Sequence, residues 1–555
     1  MGKHFDVWPE GRPRSLEPLR TTIYQNLENS ANRFPDKPAL IYYDSVITYD
    51  HLKRDVDTLA GYLTTILGIE KNDRVLLFMQ NSPQFIIGYY AILRADAVVV
   101  LVNPMCMTED VRHIADDTEA HAILCAQELF SVSEPLIGTG DKMRAIVATY
   151  GDYISAPTDL DIPDTVSASR DTIKNDSVVA WAEALTSKQK PGPHTTTTDD
   201  WAVLAYSSGT TGAPKGCLHT QHSINATVLS YHHWMPTRPT DVSLISMPLF
   251  HVTAMQNGMN TPVFTGSTMI VMTRWDRAIA ASLIERYRVT NWRSITTMAI
   301  DFVSNPHIEN YDLSSLKGIG GGGAQTPSSL VATLKKLTGL DFIEGYGLSE
   351  TAAASHINPP ERSKPQCMGI PFIGVDSRII DPETLMEVDT GITGEIILTG
   401  PQLFKEYWRQ PVATRDAFID LDGESFFRTG DLGYVDEEGY FFFVDRLKRM
   451  INASGYKVWP AEVEALMHAH PDIQEVCIIA SPDERRGETV KAIIIPNKQS
   501  SPSADEIRNW CREQMASYKV PRLISFTASL PRTGSGKVLW RALQESESLV
   551  NKIEK

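Results

Sequence analysis

The sequence predicts an α/β protein. A large N-terminal domain of mixed or parallel sheets covered by helices precedes a small, mobile α+β domain. Three observations carry this. Short β-rich runs recur along most of the chain and alternate with helix-like stretches, as in sheets covered by helices. At 555 residues the chain exceeds what one hydrophobic core holds, so at least two domains are expected. Near Asp445 the texture changes to two amphipathic helices among apolar strands, about a hundred residues that form a domain of their own.

Taken in order, the strand candidates are "RVLLFM" from Arg74, "AVVVLV" from Ala97, "HAILCA" from His121, "AIVAT" from Ala145, "WAVLAY" from Trp201 and "TMIVMT" from Thr268. Helix-like stretches separate several of them. In Ala278–Arg288, the residues Ile279, Leu283, Ile284 and Tyr287 share one face. The polar stretch "SKQKPGPHTTTTDD" (Ser187–Asp200) reads as an exposed loop. Past Asp445, "PAEVEALMHAHP" is a helix with Val463, Leu466 and Met467 on one face, and Pro471 follows its end. "EVCIIA" and "KAIIIP" are strands, and "ADEIRNWCREQM" turns Ile507, Trp510, Cys511 and Met515 inward. No internal repeat is visible.

Composition narrows the function classes. Hydrophobic residues at 42% and charged residues at 22% are ordinary for a soluble globular protein. A net charge of -16 argues against nucleic acid or an anionic membrane as main partner. The six cysteines (Cys106, Cys125, Cys217, Cys367, Cys477 and Cys511) include no CxxC pair, so reduced thiols in a cytoplasmic protein are expected. The N-terminal "MGKHFDVWPEGRPRS" has no apolar core of signal-peptide type. Arg94 and Asp96 interrupt the most apolar stretch, Ile86 to Val102, which points to a buried globular segment rather than a transmembrane one.

The densest chemical signal is "AYSSGTTGAPKGC" (205–217), behind a strand. Glycines such as Gly209 let successive N–H groups form an anion nest. Ser207, Ser208, Thr210 and Thr211 add hydroxyls and Lys215 a point charge, so phosphate is the natural guest. It is not a Walker loop, because GxxxxGK[ST] does not occur. "GIGGGGAQ" (Gly318–Gln325) meets GxGxxG only trivially, behind the weak strand candidate "SLKGI". Four further stretches join it. "GYGLSET" (Gly345–Thr351) places an aromatic, two hydroxyls and Glu350 together. "RTGDLGY" (Arg428–Tyr434) offers Asp431 in a tight turn. "DRLKRMINASGYKVWPAEVE" (Asp445–Glu464) is basic and then glycine-containing. "PRTGSGKVLWRAL" (Pro531–Leu543) presents Lys537 on a flexible loop.

Together, in this order and spacing, these stretches resemble the acyl-adenylate-forming superfamily over nearly the whole chain. "DRLKRMINASGYKVWPAEVEA" and "HINPPERSKPQCMGIP" look most like bacterial medium- and long-chain fatty acid–CoA ligases. The resemblance implies an N-terminal domain over residues 1–447 with the ATP and acyl sites, and a mobile C-terminal domain over 448–555 hinged at Lys448. It implies ATP, Mg²⁺ and coenzyme A, a small carboxylic acid as substrate, no nucleic acid and no transmembrane segment; a homodimer is left open.

By the same resemblance, Ser207–Lys215 cradles the leaving phosphates and Glu350 is the Mg²⁺ ligand, since a hard cation bridging phosphates takes a carboxylate oxygen. Gly345, Tyr346, Gly347 and Ser349 border the nucleotide. Tyr346 would stack on adenine, with Gly323 and Ala324 letting the base approach, though a plain core aromatic is the alternative. Asp431 would accept from the ribose hydroxyls with Arg446 assisting. Lys537 would carry adenylation by reaching the attacking carboxylate and the α-phosphate. Gly455 would line the thiol path after the domain swings about Lys448. Some relatives have lysine where this chain has Asn452, which puts one thiolation contact in doubt.

The acyl pocket is less legible. "MPLFHVTAMQNGM" (Met247–Met259) corresponds to the region lining it, with His251 nearest the carboxylate or else a structural histidine. Trp234, Met255, Met259 and Gly320–Gly323 suggest a hydrophobic slot, and no pocket cation for a second carboxylate can be identified. Aliphatic acids lead, aryl or arylalkanoic acids follow, and short thioether acids stay open. An enzyme loading a carrier-protein phosphopantetheine is the competing enzymatic reading, although no carrier-type "DSL" motif is present. Luciferase-type oxidation and a non-enzymatic nucleotide-binding scaffold are the remoter ones.

Overall fold

The computed structural model describes residues 2–138, 143–207, 214–323, 326–453, 456–483, 487–497, 500–532 and 538–553, with side chains as far as residue 547. Each strand run read from the sequence forms, at Arg74–Phe78, Val98–Leu101, Ala122–Ala126, Arg144–Ala148, Trp201–Tyr206 and Thr268–Val271. The first five lie in an eight-stranded sheet whose centre is parallel and whose edge is antiparallel: Trp201–Tyr206 pairs Gly216–Thr220, which pairs Glu406–Tyr407. A nine-stranded sheet contains the sixth, in the order Val242–Ile245 between Asn291–Ile295 and Thr268–Val271.

Helices fill the space between these sheets. Pro83–Arg94 starts where the Ser82 hydroxyl accepts the Phe85 N–H at 3.1 Å, with Pro83 pre-set for the first turn. It is buried from Pro83 to Leu93, so the apolar stretch noted above is a core helix and its neighbouring strand. Residues of both sheets and of this helix share one core. The helix Arg277–Tyr287 buries Leu283 and Ile284, with Ile279 and Tyr287 packed at its border.

Two sequence expectations change. The glycine run is itself a strand, Gly318–Gly322, held between Asn291–Ile295 and Phe342–Leu348. A Cβ at Gly321 would lie 2.0 Å from the Ser294 carbonyl oxygen, and one at Gly322 would lie 2.3 Å from that of Gly345. The run lets neighbouring strands approach rather than opening a slot. Asp431 sits not in a tight turn but inside the long strand Glu424–Val435, which Gly430 bends with φ at +67°.

A third, antiparallel sheet carries that strand and its neighbour Phe441–Arg446. The turn Leu447–Arg449 then leads into a fourth sheet, built on the long hairpin Ile473–Asp483 and Gly487–Pro496. Val463, Met467, Ile507 and Cys511 close its core from the helices Pro460–Met467 and Ala504–Gln514. Asp445 ties the two parts: its carboxylate accepts the Ala461 N–H at 2.6 Å and stands 3.7 Å from Arg449.

Candidate active site

The glycine-rich loop is the tip of a hairpin. Tyr206 pairs Gly216 and Ala205 pairs Cys217 at its neck. There the Ser207 N–H donates to the Lys215 carbonyl at 2.9 Å, and the Lys215 N–H donates back to the Ser207 hydroxyl at 3.2 Å. Two reciprocal bonds therefore fix the neck. Ser208, Gly209, Thr210 and Thr211 lie outside the described residues. Lys215 Nζ stands 4.5 Å from the ring centroid of Tyr407, a cation–π contact.

Tyr407 was not found from sequence; it comes from the edge strand that pairs with Cys217 and Leu218. Its hydroxyl donates to Glu350 Oε1 at 2.8 Å. Burial, followed by Glu350, pushes the Tyr407 phenol up, and the same two causes raise the Cys217 thiol well above its ordinary value. Both stay protonated beside the carboxylate.

Glu350 sits in the turn Ser349–Thr351 that ends the strand Phe342–Leu348. Its carbonyl accepts the Phe404 N–H at 2.8 Å, and His219 Nε2 lies 2.7 Å from the Ser349 carbonyl. Burial holds His219 down to about 4, so the ring is neutral and Nε2 carries the proton it gives that carbonyl. His219 was also missed, being a lone histidine on an apolar strand. Gly347 is glycine because a Cβ there would lie 1.6 Å from the Ala353 carbonyl oxygen of the returning strand; at Gly345 the nearest atom, the His356 carbonyl oxygen, would be at 3.1 Å.

On the third sheet, Asp431 is 1% exposed and pairs in register with Arg446, whose Nε lies 3.1 Å from Oδ1. Tyr346 donates its hydroxyl to Asp431 Oδ2 at 2.6 Å. The Asp431 N–H donates to the Thr429 hydroxyl at 3.0 Å, which fixes the bend. Burial and then Asp431 raise the Tyr346 phenol well above its ordinary value, while Asp431 foremost raises Arg446. The Tyr346 ring packs on Met368, Ile379, Ile396 and Phe441. Gly323 takes φ +89°, and Ala324 lies outside the described residues.

Lys448 lies in the turn Leu447–Arg449; burial lowers its ammonium, and so, in order, do Lys215, Arg541 and Arg446. Among the described residues no group of three or more His, Cys, Asp or Glu side chains could hold a metal, so a cation at Glu350 must complete its shell with ligand oxygens, as Mg²⁺ on a phosphate does. Gly455 and Lys537 lie outside the described residues. Asn452 is exposed, and its N–H donates to Glu488 at 2.9 Å.

His251 precedes the helix Val252–Ala254, its ring 4.3 Å from that of Phe250 and its carbonyl accepting the Met255 N–H at 2.9 Å. Trp234, Met255 and Met259 are fully buried in the core. Beside them a small cavity is lined by Tyr231, Met247, Ala254, Asn257, Gly258 and Arg293. Arg293 is the pocket cation that the sequence did not disclose: nothing in "NWRSITT" distinguishes it from a surface arginine until the fold turns it inward.

A profile described as AMP-binding enzyme matches residues 27–408, and one described as AMP-binding enzyme C-terminal domain matches 462–537. The chain is 33% identical to a long-chain-fatty-acid–CoA ligase of Bacillus subtilis, over 98% of this chain and 97% of the relative. It is 29% identical to one of Escherichia coli, over 97% of each. Among solved structures, ATP-bound MatB from Rhodopseudomonas palustris superposes with a TM-score of 0.83 at 24% identity, covering 96% of this chain and 100% of that one.

Proposed function

The chain belongs to the AMP-binding enzyme family, and on that premise we propose that it is an acyl-CoA synthetase that activates a medium- or long-chain fatty acid as its acyl-AMP and passes it to coenzyme A. It uses ATP, Mg²⁺ and coenzyme A. The observation that carries the reading is a pair of linked contacts: Lys215 lies over the Tyr407 ring whose hydroxyl holds Glu350, and Asp431 is held by Tyr346 and Arg446.

In the first step an oxygen of the substrate carboxylate bonds to the α-phosphorus, and the bond from that phosphorus to the β-bridging oxygen breaks, releasing pyrophosphate. Both reactants are anions, so fixed positive charge lowers the barrier. Lys215 and the loop from Ser207 take the departing phosphates. Lys537 bridges the attacking carboxylate and the α-phosphate. Glu350 and the phosphate oxygens would hold Mg²⁺, which supplies charge neutralisation when bound. Asp431 accepts from the ribose hydroxyls, oriented by Tyr346 and Arg446, while Tyr346, Gly323 and Ala324 border the base.

In the second step the thiol sulfur bonds to the acyl carbon and the bond to AMP breaks. The domain after residue 447 rotates about Lys448 between steps, withdrawing Lys537 and bringing Gly455 to the thiol path; a short turn between two sheets, Leu447–Arg449, suits such a hinge. Six free cysteines, five of them buried, suit a reducing cytoplasm. Among the described residues no helix is long and apolar enough to cross a membrane.

Pyrophosphate exchange into ATP tests the reading. Exchange that depends on an added carboxylic acid supports it; binding of ATP without exchange for any acid would leave a nucleotide-binding scaffold.

A further inference from the structure

We propose that Arg293 is the receptor for a second carboxylate, so that the preferred medium-chain fatty acid is an α,ω-dicarboxylic one bound with its far end in the cavity under Tyr231. This rests on the ligase reading and specifies its substrate. Arg293 lies mid-strand in Asn291–Ile295, whose alternation buries Trp292 and Ser294 on the opposite face. Its guanidinium therefore points toward the helix Gln221–Trp234 and the turn Met255–Asn260, not into the Trp292 core.

The neighbouring strand is cut away to receive it. A Cβ on Gly320 would lie 2.5 Å from Nη1, and one on Gly318 would lie 3.6 Å from Nη2. The guanidinium occupies the volume that side chains would otherwise fill. No carboxylate lines the cavity among the described residues, and no ion pair to Arg293 forms there. Among the described residues its one side-chain hydrogen-bond partner is the Met235 thioether, a weak acceptor for a group with five donors. Arg293 is half-buried, and a guanidinium drawn partly out of water gains from an anionic partner. Burial draws its pKa down to about 10, which still leaves it charged at neutral pH.

The cavity wall supplies matching polar groups. Tyr231 and Asn257 line the cavity with Arg293, so a phenol and an amide share its wall with the guanidinium. The remaining space is about 40 Å³, room for a compact group rather than for several methylenes. Met247, Ala254 and Gly258 of its wall belong to the segment that carries His251, so the cavity adjoins the acyl region.

The test measures AMP release by the full-length enzyme with ATP, Mg²⁺ and coenzyme A. Adipate, suberate and sebacate are compared with hexanoate, octanoate and decanoate, and with the monomethyl esters of the same diacids. The expected result is a kcat/KM for the best diacid on the order of 10²-fold above its monoacid and its ester. Arg293→Met should erase that ratio, chiefly through KM for the diacid, while Arg293→Lys keeps part of it. Equal turnover of monoacids and diacids by the native enzyme, or an unchanged ratio in Arg293→Met, would overturn the assignment and leave the ligase reading standing. The native ratio decides alone if the variants do not fold. No AMP with any acid would remove both.

Discussion

Tyr407 donates its hydroxyl to Glu350 at 2.8 Å while its ring carries the Lys215 ammonium, so one aromatic residue couples the lysine of the glycine-rich loop to the Glu350 carboxylate. Glu350→Gln keeps a bond to Tyr407 but removes the charge. Acid-dependent pyrophosphate exchange should fall by about 10²–10³. Tyr407→Phe keeps the ring and loses the bond to a charged group, and should cost about tenfold or somewhat more. Exchange rates at saturating ATP, with circular dichroism to confirm folding, check both.

The bond from Tyr346 to Asp431 spans 85 positions of sequence and fixes the carboxylate for which a ribose-binding role is proposed. Asp431→Asn should raise KM for ATP by about 10²-fold with a smaller change in kcat, because ground-state binding is lost. Tyr346→Phe should move KM in the same direction by less. Steady-state kinetics in ATP separate the two parameters.

His219 and His356 are both buried neutral, held down from 6.5 to about 4 and about 3 by desolvation. The unfolded chain binds protons there below pH 6.5 while the folded chain does not, so their contribution is complete above 6.5 and is lost as pH falls toward 4. Urea midpoints should therefore drop between pH 6.5 and 4, and His219→Gln should flatten part of that slope. An unchanged slope would mean that His219 titrates normally.

Much of the fold was legible because its strands are short apolar runs with helices between them, from Arg74–Phe78 through Thr268–Val271. The candidate site was legible where motifs are local: Ser207, Lys215, Glu350, Asp431 and Arg446 were all named from sequence. What stayed hidden depends on distant packing. Tyr407 reaches Glu350 only because an edge strand pairs with Gly216–Thr220, and His219 supports Ser349 from 130 positions away. Arg293 looks like any strand arginine until Gly318 and Gly320 are laid beside it. The glycine run misled for a related reason: its missing side chains serve neighbouring carbonyls.

That packing makes its own prediction. Gly347→Ala would place a methyl 1.6 Å from the Ala353 carbonyl oxygen, where only main-chain movement can relieve it. It should lower Tm by several degrees or abolish soluble expression, whereas Gly192→Ala, with nothing within 4 Å, should not. Thermal melts of the two variants compare them directly.

Lys537→Ala should abolish acyl-AMP formation while largely sparing thiolation of acyl-AMP supplied from outside, because the role proposed for the lysine belongs to the first step alone. Half-reaction assays with synthetic adenylate distinguish the steps. Adenylation unchanged in that variant would remove Lys537 from the mechanism.

The most direct test of the whole account follows AMP and thioester together when the enzyme is given ATP, Mg²⁺, coenzyme A and a series of aliphatic acids. The account predicts AMP released one for one with acyl-CoA, only when acid is present, and pyrophosphate rather than phosphate as the other product. AMP with no thioester for any acid, or no AMP at all, would contradict it.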